Sequence, residues 1–204
     1  MKDSIISKAT KLFFKRGVRS VTLDELSSEL GISKKTLYQY FSNKEELINE
    51  VVTRFMKQNT TIIEEIMVSA NNSIEGFYQT AHHVYMIFNS ISPATIFEIK
   101  KYYPAIWKKL QGFKKKSIEK LTMINLKKGI EEGLYRSDIK PDMVMRFYMT
   151  VLLNMNDEEL FPETLHNPGK IYQGFIHYHI RSIATEKGYR LFKELNQSKI
   201  IFQA

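Results

Sequence analysis

The stretch from Thr22 to Lys44 constrains this chain more than any other. Two short helical segments meet there across only three residues, Gly31-Ile32-Ser33. Glycine accepts a positive φ and lets the chain turn sharply. Ser33 is a good N-cap for a helix from Lys34 to about Phe41. Upstream, Thr22-Leu23-Asp24-Glu25 matches a capping box, with the Thr22 hydroxyl accepting an early N–H and Glu25 reaching back. Leu26, Leu30, Ile32 and Leu37 can then form one small core that holds the two helices crossed. That is helix-turn-helix geometry, in which the second helix offers its amino-terminal side chains to the major groove.

The side chains left outside suit DNA. Lys34, Lys35 and Thr36 lie in the first turn of the second helix, where readers of base edges belong. Tyr38 and Tyr40 offer hydroxyls to phosphates and rings to sugars. Lys44 opens the next helix, and its ammonium with the free N–H groups there would hold a phosphate; Thr22 can do likewise. The plain alternative is a solvated surface helix. Two exposed Tyr and three Lys with so little acid argue against it.

Apolar residues elsewhere recur at three and four, and no run alternates as a strand would. The first helix reads Ser4 to Arg16, with Ile5, Ala9, Leu12 and Phe13 on one face and Gly17 after it. Asn43 caps a helix carrying Leu47, Ile48, Val51, Val52 and Phe55. Phe77, Ala81, Val84, Tyr85 and Phe88 make another stripe, and Pro93 and Pro104 bracket a short segment. A long helix is predicted from Ala105 to Glu132, and another begins at Pro141. Asn167-Pro168 reads as N-cap and first position of a last major helix ending near Gly188, with a short amphipathic tail over Tyr189–Leu195. The expected fold class is all-α: an N-terminal three-helix helix-turn-helix domain over 1–47, and a larger helical effector-binding and dimerisation domain over 48–204.

With 204 residues, 43% of them hydrophobic, the chain can bury a sizeable core and is not of the disordered class. No apolar run approaches the roughly 20 residues of a membrane span. The start lacks the long apolar stretch of a secretion signal, so a cytoplasmic protein is expected. Zero Cys removes disulfides and thiolate zinc sites. His82-His83 and His177/His179 lack the i, i+4 spacing of a ligand pair, so no metal is expected. No nucleophile triad or phosphate-binding glycine loop is visible, which argues against an enzyme. The net charge of +8 is concentrated: residues 100–128 hold ten Lys against one Glu. A solvated outer stripe is the favoured reading of that run; the sharper one has its early part adding non-specific attraction to DNA.

Val21-Thr22-Leu23-Asp24-Glu25-Leu26, then Leu30-Gly31-Ile32-Ser33-Lys34-Lys35-Thr36-Leu37-Tyr38-Gln39-Tyr40-Phe41, then Asn43-Lys44-Glu45-Glu46-Leu47, resembles the DNA-binding domain of TetR-family transcriptional regulators. Tyr102–Trp107 and Gly129–Arg136 are similar, more weakly, to stretches of some members. The resemblance implies a homodimer on a near-palindromic double-stranded DNA operator, released by a small-molecule effector, with no cofactor. It implies phosphate contacts for Thr22, Ser33, Tyr38 and Lys44, and positions nearest the bases for Lys34, Lys35, Thr36, Gln39 and Tyr40.

The many aromatic residues could enclose an apolar cavity for an apolar or aromatic effector, with Phe88, Phe97, Trp107 and Phe147 as candidate lining. The stripes of the helices over 141–155 and 168–186 look too wide for one covered face. Pairing with their copies would make a four-helix dimer interface through Phe147, Val151, Phe175, Ile176, His179 and Ile183; intrachain packing is the alternative. Two other readings stay open: a helical small-molecule-binding protein or enzyme whose helix-turn-helix is only structural, and a DNA-binding protein without an effector.

Overall fold

The computed structural model describes residues 1–157, 159–162 and 168–199. Among these the protein is all-α, with ten helices: α1 (Lys2–Arg16), α2 (Leu23–Leu30), α3 (Lys34–Tyr38), α4 (Lys44–Ser69), α5 (Ser73–Ser90), α6 (Pro93–Tyr102), α7 (Pro104–Glu131), α8 (Pro141–Asn154), α9 (Pro168–Ile183) and α10 (Glu186–Lys199). Asn167, expected as an N-cap, lies outside the described residues. No helix among the described residues is long and apolar enough to cross a membrane.

Two compact units form. The first, the head, comprises residues 1–59 together with 90–113; the second comprises residues 60–89 together with the chain from Lys114 onward. The expected division fell between residues 47 and 48; packing groups α6 and the start of α7 with the head instead. The reason lies in its core. Ile5, Ala9 and Phe13 of α1, Leu26, Leu37 and Leu47 are buried there, and so are Ile99 and Ile106. Leu30 and Ile32 pack against this core only partly buried. Polar anchors fix α6 in place. The Ser92 N–H donates to the Phe14 carbonyl at 2.8 Å. The Thr95 hydroxyl, fully buried, donates to the Phe13 carbonyl at 2.7 Å. Both partners are carbonyls in the last turn of α1, and the Phe13 carbonyl accepts from the Gly17 N–H at 2.9 Å as well.

In the second unit Tyr78, Tyr135, Tyr172, Ile176, Ile180 and Phe192 are almost wholly buried. A polar knot joins three segments: the Tyr135 hydroxyl donates to Asn125 Oδ1 at 2.7 Å, and Asn125 Nδ2 donates to the Ser73 carbonyl at 2.8 Å. Burial is what pushes the Tyr135 phenol pKa far up.

The end of α9 differs from expectation. The helix stops at Ile183, not near Gly188, and the tail expected over 189–195 is a longer helix, α10. A crossing of backbones causes the break. The Arg136 N–H donates to the Ile183 carbonyl and the Thr185 N–H to the Leu134 carbonyl, both at 2.9 Å. Thr185 then caps α10 by accepting from the Gly188 N–H at 3.2 Å. Gly188 is required by close approach, because a Cβ there would run into the Leu134 carbonyl oxygen.

Candidate nucleic-acid interface

The turn between α2 and α3 is built from backbone chemistry. Thr22 caps α2, its hydroxyl accepting from the Glu25 N–H at 3.0 Å. The Glu25 carboxylate engages Arg16, so the reciprocal half of the expected capping box is replaced by an ion pair with α1. Gly31 takes the left-handed conformation, φ 65° and ψ 28°, which a side chain would strain. The Ile32 N–H donates back to the Ser27 carbonyl at 3.0 Å. Ser33 then caps α3 by accepting from the Thr36 N–H at 3.0 Å, and its hydroxyl also meets the Thr36 hydroxyl at 2.8 Å. The helix is shorter than expected, since past Tyr38 the chain tightens into i→i+3 turns.

This frame holds Leu37 at 0% exposure. It leaves Lys34, Lys35, Tyr38, Gln39 and Tyr40 exposed and Thr36 half-buried. Lys34 is not free: its ammonium pairs with Asp24 at 2.6 Å, which raises its pKa. Thr22 and Ser33 are exposed at their caps. Lys44 is half-buried and donates to the Arg19 carbonyl at 3.1 Å. Desolvation lowers its pKa, and the charge of Glu98 opposes that shift. The candidate DNA residues thus gather on one small motif, with Lys35, Tyr38, Gln39 and Tyr40 the most available.

Three participants were missed. Asp24 competes for Lys34. Arg19 and Glu98 meet where the Arg19 N–H donates to Glu98 Oε2 at 2.8 Å. They stand 79 positions apart, and no local spacing announces such a pair.

The candidate pocket residues divide between the two units. Phe97 and Trp107 belong to the head; Phe97 is 48% exposed, and Trp107 packs against the head core. Phe88 and Phe147 belong to the second unit, with Phe88 against Tyr172 at 5.3 Å between ring centroids and Phe147 64% exposed. The candidate dimer residues also divide. Ile176, His179 and Ile183 are at most 5% exposed, inside the core of their own chain, while Val151 and Phe175 are partly buried. Part of the wide stripe of α9 is used within the chain, where Phe192 of α10 joins the same core and meets the His177 ring at 5.7 Å between centroids. Met143 and Tyr178, not foreseen, are 43% and 75% exposed.

Part of the lysine run has local polar partners. Lys109 donates to Asn49 Oδ1 and Thr53 Oγ1, both at 3.0 Å, and Lys120 pairs with Glu64 at 2.7 Å. Burial pushes the Lys114 pKa down to about 8. No cluster of three or more His, Cys, Asp or Glu that could hold a metal occurs among the described residues.

Residues 5–51 match the family described as bacterial regulatory proteins, tetR family. A helix-turn-helix transcriptional regulator of Bacillus subtilis, YvaF, is 23% identical over 92% of this chain and 97% of its own length. The transcriptional repressor KstR2 of Mycobacterium tuberculosis is 25% identical over 72% of this chain and 74% of its own. The structure of that protein, described as a ketosteroid transcriptional regulator, superposes with a TM-score of 0.59 at 20% identity, covering 91% of this chain and 95% of the other. A transcriptional regulator of Cytophaga hutchinsonii superposes with a TM-score of 0.73 at 20% identity, covering 90% and 98%.

Proposed function

We propose that the chain is a ligand-responsive DNA-binding transcriptional regulator of the TetR family, not an enzyme, which acts in the cytoplasm as a homodimeric repressor on a near-palindromic operator; the match of residues 5–51 to that family and the similarity to a transcriptional repressor support the reading. The observation that carries the reading is the exposed set on α3 above a fully buried Leu37. A five-residue helix capped by Ser33 and anchored by Leu37 holds its side chains in fixed directions, as base readout requires. Lys35 and Gln39 face bases. Tyr38 holds a phosphate, and so does Thr22 beside Lys44. Thr36 supports Ser33 as much as it faces DNA, because their hydroxyls are joined.

The effector is apolar or aromatic. Support comes from the second unit, where α5 changes character along its length. Ile74, Tyr78 and Ala81 are buried, but Val84, Tyr85, Ile87 and Phe88 around the following turns are only half-buried. Apolar side chains left partly uncovered on several faces of one helix supply walls for such a ligand. A ligand lowers operator affinity only by as much as it prefers one arrangement of the protein over the other.

The test begins by selecting bound fragments from random duplex DNA, then titrating variants and a panel of apolar and aromatic small molecules. Lys35→Ala and Gln39→Ala are expected to weaken the selected operator by about 1–3 kcal/mol and leave random DNA nearly unchanged. Tyr38→Phe is expected to weaken both alike. Equal losses on both DNAs for all three variants would overturn the division into base and phosphate contacts. Failure of every panel compound to release the DNA would overturn the effector class.

A further inference from the structure

We propose that Arg19 and Lys101, both over the Tyr102 ring, together with Lys100 next to Lys101 on α6, form a second contact to the sugar-phosphate backbone of duplex DNA, outside the segment that α3 reads. The proposal rests on the reading of Thr22 and Lys44 as phosphate contacts and extends that surface.

Continuity carries the argument. Arg19 stands three positions before Thr22, and its carbonyl accepts from the Lys44 ammonium. Its guanidinium lies over the Tyr102 ring, 4.3 Å from the centroid. Lys101 stands over the same ring at 5.4 Å and over Phe97 at 5.2 Å. All of these residues belong to the head. The chain of contacts therefore runs from Lys44 through Arg19 to Tyr102 at the carboxyl end of α6.

Charge and exposure agree. Arg19, Lys100 and Lys101 are exposed. Several other cations of the head are matched to carboxylates: Lys8 to Glu29, Arg16 to Glu25, Lys34 to Asp24, Arg54 to Asp3. These three form no ion pair among the described residues. Two carboxylates are close by. Glu98 is held by the Arg19 N–H, and burial, then the charges of Glu45 and Glu98, push the Tyr103 phenol up. Three cations still outnumber them, with Lys44 beside. Tyr102 and Phe97, 42% and 48% exposed, are rings under cations, a surface that meets both phosphate and sugar. Such a contact carries no sequence information, and each phosphate neutralised adds to the salt dependence.

The experiment uses the full-length protein and the selected operator in two lengths: the shortest duplex that keeps the α3-dependent preference, and one extended at both ends. Affinity is measured by fluorescence anisotropy between 50 and 200 mM KCl, ranges over which the counterion effect is large. The triple variant Arg19→Gln, Lys100→Gln, Lys101→Gln keeps the main-chain bonds at Arg19. On the extended duplex it is expected to flatten the slope of log affinity against log salt by about two to three. It should weaken operator and random extended duplex by the same factor and behave as the parent on the short one. Lys101→Glu alone, checked for unchanged helicity, is expected to weaken extended duplexes in the same way. An unchanged slope for both variants, while Lys44→Gln and Thr22→Ala still lose affinity, overturns this extension alone. Unchanged binding for Lys44→Gln and Thr22→Ala as well overturns the phosphate reading beneath it.

Discussion

His179 lies among the rings of Phe77, Tyr148 and Phe175, at 5.6, 4.7 and 5.6 Å between centroids. Burial in that apolar cage pushes its pKa down to about 4, since a charged imidazole would lose its hydration there. In the unfolded chain the same group titrates near about 6.5. Between those values the unfolded state binds more protons than the folded one. The stability that neutral His179 secures is therefore complete above pH 6.5 and lost as the pH falls toward 4, by about 3 kcal/mol at pH 4. Urea unfolding of the protein at pH 7 and at pH 4 is expected to show this loss. His179→Phe fills the cage without a proton site and should remove most of it. If the variant loses as much stability in acid as the parent, another group carries the acid sensitivity.

α3 shows how an element depends on its ends. Five residues are too few for a helix that stands by its own propensity. Its first turn is satisfied by the Ser33 hydroxyl, and its body is pinned by Leu37. Ser33→Ala is expected to cost about 1 kcal/mol in urea unfolding, whereas Ser33→Thr keeps the hydroxyl and most of the stability. If the alanine variant is as stable as the parent, the cap contributes nothing. The roles of Thr22, Ser33 and Asn43 as caps were legible in the sequence because a cap is a relation between residues three apart, and each accepts from the N–H three positions on. The membership of α6 in the head was not legible, since its anchors lie up to 82 positions away along the chain. The same limit hid the break after Ile183, which depends on the segment near Leu134, and the contact of Phe192 with His177 of α9. Among the candidate DNA residues, exposure followed from the helical period. The hold of Asp24 on Lys34 and of the Arg19 carbonyl on Lys44 depended on how helices cross, which periodicity does not encode.

At the scale of the molecule, α8 and α9 leave large apolar side chains exposed. The two helices pack on each other, with Tyr148 against Phe175 at 5.4 Å between centroids. Beyond that contact, Met143 and Phe147 stand four apart on α8, and Tyr178 projects from α9 at 75% exposure. Large apolar side chains grouped on a surface mark a place where another protein sits. A two-fold axis through such a face joins two helices from each copy into four, with like residues meeting like. We expect the dimer of the proposed repressor to form there, through Met143, Phe147 and Tyr178 with Val151 and Phe175 at the edge, while Ile176, His179 and Ile183 stay in the intrachain core. Phe147→Glu with Tyr178→Glu places like charges against each other across the axis and leaves the interior untouched. In sedimentation equilibrium the parent is expected at twice its 24.0 kDa chain mass and the double variant at the chain mass, with unchanged helicity. The monomer still presents one α3, so it should bind a single half-site as the parent's own head does and lose the gain in affinity from two half-sites on one duplex. A parent that sediments as a monomer, or a double variant that remains dimeric, would remove this face as the dimer interface.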